Sequence, residues 1–232
     1  MNFCRKIVHG CRQLAHFYRR CVKKLAYIVG GVRTSLSGDS GTVALTFDDG
    51  PNARFTPQVL DILRRFDVKA TFFLVGERVR EFPELVERIV AEGHAIGSHT
   101  DSHPDMWTLR SSAALHEFRA GRDSVDRAVG SQLRLFRPPK GWVGFAQAFM
   151  TRRLGLRVWL WTRAGSDWVP DITAAEILAT IGTPVSGDVI LLHDGLERPM
   201  GATALNRSST IEALESLIPD VQARGLRFVA LT

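Results

Sequence analysis

Two short stretches of this chain bring metal-binding and proton-handling side chains together. In Thr46-Phe47-Asp48-Asp49-Gly50-Pro51 an apolar β run ends in two adjacent carboxylates before a Gly-Pro turn. Side chains alternate faces along a strand, so neighbouring aspartates leaving its end can divide the work. One can bind a cation while the other moves protons. Asp-Gly-Pro is also ordinary turn chemistry, and the weight comes from His99-Thr100-Asp101-Ser102-His103-Pro104 further along. Histidines at i and i+4, stopped by a proline, can hold one metal from a single turn. A carboxylate with two histidines is an open metal site, and it is also the donor set of non-haem iron oxygenases.

These residues must be carried by regular elements. Short apolar strands read at 42–47, 69–74, 94–98, 134–137, 156–161, 188–192 and 226–231, with helical patterns near 56–65, 83–92, 109–129, 144–152, 173–182 and 208–224. Alternating strands and helices predict a parallel sheet with right-handed crossovers. A body of roughly 190 residues is short beside the usual eight-unit barrel of about 250. The expected fold is therefore α/β, a distorted or incomplete (β/α) barrel of about seven parallel strands. Asp48/Asp49, His99/His103, Arg137, Asp167/Trp168 and His193 each follow the C-terminal end of an expected strand. Those ends converge on the face where barrel enzymes build active sites.

At 232 residues, 45% hydrophobic and 23% charged, the chain suits one globular domain. No apolar run is long enough to span a bilayer. The net charge of +6 is concentrated in residues 1–38, which hold eight of the 30 Lys and Arg and no acid. Residues 39–232 carry 22 basic and 24 acidic side chains, so nucleic-acid binding by the body is not expected. Cys4, Cys11 and Cys21 all lie in the basic arm, leaving no disulfide framework for the body. Residues 1–34 read as an amphipathic helix, with 35–41 as a linker and 42–232 as the catalytic domain. The arm suits an anionic membrane surface, a patch of the body, or a poor signal peptide. Without a clean export signal, the expected location is cytoplasmic, with the arm on the inner membrane face.

Thr46–Pro51, His99–Pro104, Arg137-Pro138-Pro139-Lys140-Gly141, Asp167-Trp168 and Leu191-Leu192-His193 together resemble the five ordered motifs of the polysaccharide deacetylases. This is the NodB-homology family, carbohydrate esterase family four, and within it the chain looks most like the chitooligosaccharide deacetylase branch. The resemblance implies a metal-dependent hydrolase removing N-acetyl groups from an N-acetylglucosamine-type glycan, polymeric, oligomeric or lipid-linked. It implies one divalent ion, zinc first, with cobalt, nickel or manganese as alternatives, on Asp49, His99 and His103. Asp48 would then be the general base, held by Arg137. His193 would be the general acid, tuned by Asp167. The backbone N–H of Lys140 would meet the oxyanion, and Trp168 and Leu191 would line the acetyl methyl. Trp142 and Trp107 could stack on sugar rings or cap the core.

Two departures from the family pattern stand out. Lys140 replaces an aromatic residue, and Ala164 stands where an acid usually pairs with the arginine. They leave room for a carbohydrate-binding relative without catalysis, and they call for some other acid to partner Arg137 or leave it solvated. Asp101, between the two histidines, is expected to touch substrate. Asp194 reads first as a turn former and otherwise as a supporting partner behind His193, and His94 as structural. The sequence says nothing of oligomeric state.

Overall fold

The computed structural model describes residues 27–28, 31–38, 41–142, 144–195 and 206–232. The expected amphipathic helix over 1–34 falls almost wholly outside them. The elements run β1 Thr42–Asp48, α1 Thr56–Arg65, β2 Thr71–Leu74, α2 Gly76–Glu81, α3 Pro83–Ala91, β3 Ala95–Ser98, α4 Ser111–Val129, β4 Leu135–Phe136, α5 Phe145–Arg153, β5 Arg157–Val158, β6 Arg163–Ala164, α6 Ala174–Ile181, β7 Val189–His193, α7 Ser208–Ala223 and β8 Arg227–Phe228.

All pairings are parallel, in the order β5-β4-β3-β2-β1-β7-β6, with β8 beside the start of β1. The two ends of this seven-strand path are β5 and β6, neighbours in the chain. Trp159 N–H donates to the Phe136 carbonyl at 2.9 Å, and Thr162 N–H to the Val189 carbonyl at 3.0 Å. One continuous segment therefore joins both edges, and the sheet curls into a distorted barrel. Of the single strand expected at 156–161 only β5 forms, and a second short strand, β6, follows beyond it on the opposite edge. Barrel closure bends the chain there, and a periodicity of two cannot register the bend. Helix α2 is also absent from the sequence reading, because six residues are too few to show a helical period.

Both faces of β1 are buried, as in sheets covered by crossover helices. Val43, Leu45 and Phe47 face outward into the main core with Val59, Leu60 and Leu63 of α1 and Leu214 and Ile218 of α7. Ala44 faces inward with Phe73, Leu135, Trp159 and Val189. The inward row continues through Thr46 to Asp48. The same parity sends Val189, Leu191 and His193 of β7 inward. The interior is thus apolar at one end and charged at the other. Gly97 faces inward on β3, where an added Cβ would stand 2.4 Å from the Phe73 ring, so only glycine lets that ring fill the barrel.

Residues 31–38 lie along the barrel. Arg33 N–H donates to the Val158 carbonyl at 2.8 Å, and Leu36 N–H to the Gly187 carbonyl at 2.8 Å. Among the described residues no helix is long and apolar enough to cross a membrane.

Candidate active site

The charged end of the barrel opens into a cavity of about 410 Å³. It is lined by Asp48, Asp49, His99, His103, Asp105, Lys140, Trp161, Trp168, Leu191 and His193. The two aspartates diverge because β1 ends between them. Asp48 keeps strand geometry, whereas Asp49 takes a left-handed backbone with φ 71°.

Asp49 Oδ1 lies 3.4 Å from His99 Nε2 and 3.2 Å from His103 Nε2. The ligand atoms of these three residues all fall within 4.8 Å of one another. His99 is oriented from behind, its Nδ1–H donating to the Arg137 carbonyl at 2.7 Å. That bond fixes Nδ1 as the donor and aims Nε2 at Asp49, as in metal-ligating histidines. Burial disfavours the imidazolium, but the Asp48 and Asp49 charges raise the His99 pKa, so a bound ion would replace the Nε2 proton. Burial works against the Asp49 carboxylate, but the surrounding His99, His103 and His193 hold its pKa well below the usual range. Burial pushes His103 down to about 4 despite Asp49, so its ring is a neutral donor at neutral pH. Asp49 Oδ1 is buried without a hydrogen-bond partner. An orphaned carboxylate oxygen facing two imidazole nitrogens is a donor set that fits a divalent cation.

The loop carrying the histidines is strained and held from outside. Thr100 has φ 72° and His103 φ 52°. The first amides of α2, Gly76 and Glu77, donate to the Thr100 and Asp101 carbonyls at 3.0 and 2.9 Å. Glu117 of α4 accepts from the Asp101 and Ser102 amides at 3.1 and 2.9 Å. Gly121 of α4 sits directly under this loop, where a Cβ would come within 2.4 Å of the Thr100 backbone.

Arg137 is fully buried. It donates to Asp48 Oδ1 at 2.7 Å, Thr46 Oγ1 at 2.8 Å, and the Trp159 and Leu160 carbonyls at 3.1 and 3.0 Å. Its guanidinium also lies 4.1 Å from the Phe73 ring centroid. The acid missing at Ala164 is therefore not replaced by another. Asp48 itself is the counter-charge, and carbonyl oxygens of the bent segment take the remaining donors.

On the other wall, His193 ends β7 in register with Asp48. Its Nδ1–H donates to Asp167 Oδ1 at 2.7 Å, and its backbone N–H to Asp167 Oδ2 at 2.8 Å. Burial disfavours the imidazolium, yet Asp167, helped by the Asp49 and Asp48 charges, raises His193 to about 9. Trp168 meets the His193 ring edge-on at 5.5 Å.

The site residues expected from sequence line this cavity or contact a residue that does, except Trp142 and Asp101. The Trp142 ring is half-buried against the Met106 and Phe118 cluster, edge-on to Trp107. Lys140 reaches the cavity rim, where its ammonium pairs with Asp105 and lies 4.7 Å over the Trp107 ring. Asp101 does not line the cavity. Its carboxylate turns away to Arg80, at 2.6 and 3.2 Å. His94 is structural: its Nδ1 accepts from Ala70 N–H at 3.2 Å, and burial lowers its pKa to about 4. Asp194 is fully buried and accepts from the Thr56 hydroxyl, and burial raises its pKa to about 7.

Sequence reasoning missed Trp161 and Asp105 of the cavity lining, and Thr210 and Arg207, which hydrogen-bond Asp167 from outside it. Trp161 ends the expected strand 156–161, so the strand-end rule that located the others could have found it. Asp105 follows the second motif by one residue. Nothing in the sequence pattern marks the other two.

Comparison with known proteins agrees with this geometry. Residues 36–159, more than half of the chain, match the family model described as polysaccharide deacetylase. A peptidoglycan-N-acetylglucosamine deacetylase of Bacillus cereus is 33% identical over 205 residues, covering 88% of this chain and 92% of the relative. A chitooligosaccharide deacetylase of a Bradyrhizobium species is 38% identical over 204 residues, covering 84% and 91%. The crystal structure of a peptidoglycan N-acetylglucosamine deacetylase bound to an N-oxidanyl-benzamide superposes with a TM-score of 0.78 at 33% identity, covering 86% of this chain and 90% of the other. These relatives correct two expectations. The chitooligosaccharide branch is not singled out, since peptidoglycan deacetylases match at least as extensively. The cytoplasmic location is overturned as well, because the Bacillus cereus relatives and the matched structure are named for peptidoglycan, a polymer of the cell wall outside the cytoplasm. With the motif residues gathered in one cavity and the family model spanning most of the barrel, the chain belongs to the polysaccharide deacetylase family of metal-dependent hydrolases.

Proposed function

We propose that this metal-dependent deacetylase hydrolyses the acetamido group of N-acetylglucosamine units in a cell-wall glycan, with Asp48 as general base and His193 as general acid. The observation that carries the assignment is the register between β1 and β7. Asp48 and His193 sit opposite each other on adjacent parallel strands, with the Asp49, His99 and His103 triad beside them. Support for peptidoglycan comes from the names and coverage of the relatives. Chitooligosaccharides share the same acetamido sugar and are the second substrate class to test.

When bound by Asp49, His99 and His103, a divalent ion supplies an acidified water and polarises the acetyl carbonyl. Zinc suits two imidazoles and a carboxylate with positions left open, and cobalt, nickel or manganese take the same donors. Asp48 accepts the proton of the attacking water, while Arg137, donating to Oδ1 at 2.7 Å, keeps its carboxylate aimed. The amide carbon becomes tetrahedral, and the Lys140 backbone N–H donates to the developing oxyanion. One such donor is worth about 3–4 kcal/mol. His193, oriented through Nδ1 by Asp167, delivers a proton from Nε2 to the amine nitrogen as the C–N bond breaks. Acetate and a free amine leave. Leu191 and Trp168 offer an apolar wall for the acetyl methyl, and Trp142 is a candidate stacking surface further out.

We take 42–232 as the catalytic domain, behind a 35–41 linker and a basic 1–34 arm whose composition suits an anionic lipid surface. The decisive experiment measures acetate and amine release from peptidoglycan strands, chitooligosaccharides and monomeric N-acetylglucosamine, with and without chelator. Release from a glycan that stops on chelation and returns with zinc or cobalt is expected. No acetate from any N-acetylated sugar would overturn the reading.

A further inference from the structure

The acid pair is anchored by a third element that none of the five motifs contains. Helix α7 begins beside it, and the Thr210 hydroxyl, in the first turn, donates to Asp167 Oδ2 at 2.9 Å. Thr210 is 1% exposed. Oδ2 already accepts the His193 backbone N–H, and Oδ1 accepts the ring N–H. Three donors thus hold the carboxylate in one plane, and Thr210 is the donor that does not come from the histidine it must orient. Arg207 closes the arrangement from behind. Fully buried, it donates from Nε to the Gly195 carbonyl at 3.2 Å and from Nη1 to the Asp167 carbonyl. It therefore ties together the two loops that carry Asp167 and follow His193. The N-terminal end of α7 adds partial positive charge toward the same carboxylate.

We infer that Thr210, backed by Arg207, is a positioning residue for proton donation by His193, acting through Asp167. Without its hydroxyl, the Asp167 carboxylate would be held by His193 alone, and the ring and carboxylate could turn together away from the amine nitrogen. The inference rests on His193 being the general acid. Protonation matters for an amine leaving group and little for a good alkoxide, so leaving-group dependence separates positioning from mere support.

The test compares full-length Thr210→Val, which keeps shape and loses the hydroxyl, with Thr210→Ser, which keeps the hydroxyl and loses a methyl. Each is assayed on an N-acetylglucosamine oligomer and on 4-nitrophenyl acetate, with melting temperature measured alongside. Thr210→Val should lower kcat on the oligomer about tenfold, the scale of one hydrogen bond to a charged group. It should lower ester hydrolysis far less, and add nothing further in a His193→Ala background. Thr210→Ser should retain oligomer turnover even if it melts lower. Equal slowing of both substrates by Thr210→Val, or Thr210→Ser as slow as Thr210→Val, would overturn the inference. If Thr210→Val does not fold, Arg207→Lys carries the same comparison, and unchanged selectivity between the two substrates would count against the proposal. A wild-type chain that releases no acetate from the oligomer would overturn the parent reading, and this inference with it.

Discussion

The two walls of the cavity are both buried and both charged, yet their polar groups are in opposite conditions. On the wall built by β1, β3 and β4, Asp49 Oδ1 has no hydrogen-bond partner, and two imidazole nitrogens face it within 3.4 Å. Four non-glycine residues there, Asp49, Thr100, His103 and Lys140, hold positive φ, against Ser166 beside Asp167 on the other wall. On the wall built around β7, both oxygens of Asp167 are occupied, and its carbonyl takes a buried guanidinium. A buried, unpaired carboxylate oxygen is costly, and non-glycine residues in left-handed conformations add strain. The first wall therefore turns its orphaned carboxylate oxygen toward two imidazoles and is shaped for something that completes it. On the second the Asp167 carboxylate is complete as folded, although Asp194 Oδ1 and Arg207 Nη2 of that wall are also unpaired. Metal should matter to one wall and not to the other.

The largest effect should come from removing a ligand of the incomplete wall. His99→Ala is expected to lose both metal and detectable deacetylation, and chelation of the wild-type chain should do the same. An ion present at a hundredfold its Kd contributes about 2.7 kcal/mol to stability, so the melting temperature of the wild type should fall on chelation. Elemental analysis beside activity and melting curves checks this. Full activity in the chelated protein would break the comparison at its base.

Next in size is Asp48→Asn. Asp48 is tied to Arg137 and stands 3.7 Å from His99 Nε2, outside the triad itself. The amide can still accept from Arg137 but cannot take a proton, so metal should stay bound while turnover falls by about 10³-fold or more. Metal loss equal to that of His99→Ala would assign both aspartates to ligation.

The complete wall makes a prediction of its own. In metal-free protein His193 should remain protonated until about pH 9, since Asp167 raises it above the ordinary 6.5. A raised histidine pKa contributes stability that is full below the unfolded value and is lost as pH rises through the folded one. That loss should span pH 6.5 to about 9. Asp167→Asn removes the main charge favouring the imidazolium, and the NMR titration midpoint of His193 should move down. An unchanged midpoint would mean that the pair does not tune the acid. In the loaded enzyme His193→Ala should slow amide hydrolysis by about 10²-fold or more, and an activated ester much less.

The chemistry was legible where it sat on strand ends. Asp48/Asp49, His99/His103, Arg137 and His193 follow short apolar runs whose parallel arrangement forces their C-terminal ends onto one rim. What stayed hidden depends on contacts between distant elements. Thr210 reaches Asp167 across 43 residues of sequence, and nothing local distinguishes it from any threonine in a first helical turn. Barrel closure at 157–164 shortens the strand expected at 156–161 to β5 and places an unexpected β6 after it, because pairing partners on opposite edges leave no periodic trace. Arg137 read as lacking its acid, since a motif records residue types and not the backbone carbonyls that replace them. The direction of Asp101 was hidden for a related reason: its partner Arg80 belongs to α2, the helix the pattern did not reveal.

Asp101 is the smallest test, and it sharpens the contrast because it lies inside the metal-binding motif without belonging to the site. Its backbone N–H is spent on Glu117, and its side chain on Arg80. Arg80 is 46% exposed, so the ion pair is screened and worth at most about 1 kcal/mol. Asp101→Asn keeps the shape and one acceptor for Arg80. It should lower the melting temperature by no more than about 2–4 °C and leave kcat/KM on an N-acetylglucosamine oligomer within about twofold. Differential scanning fluorimetry and acetate release measure both. A large loss of kcat/KM with an unchanged melting temperature would return Asp101 to the substrate. A large loss of metal would mean that the Arg80 contact holds the histidine loop in its strained form, placing the support of the incomplete wall further out than α4 and the first turn of α2.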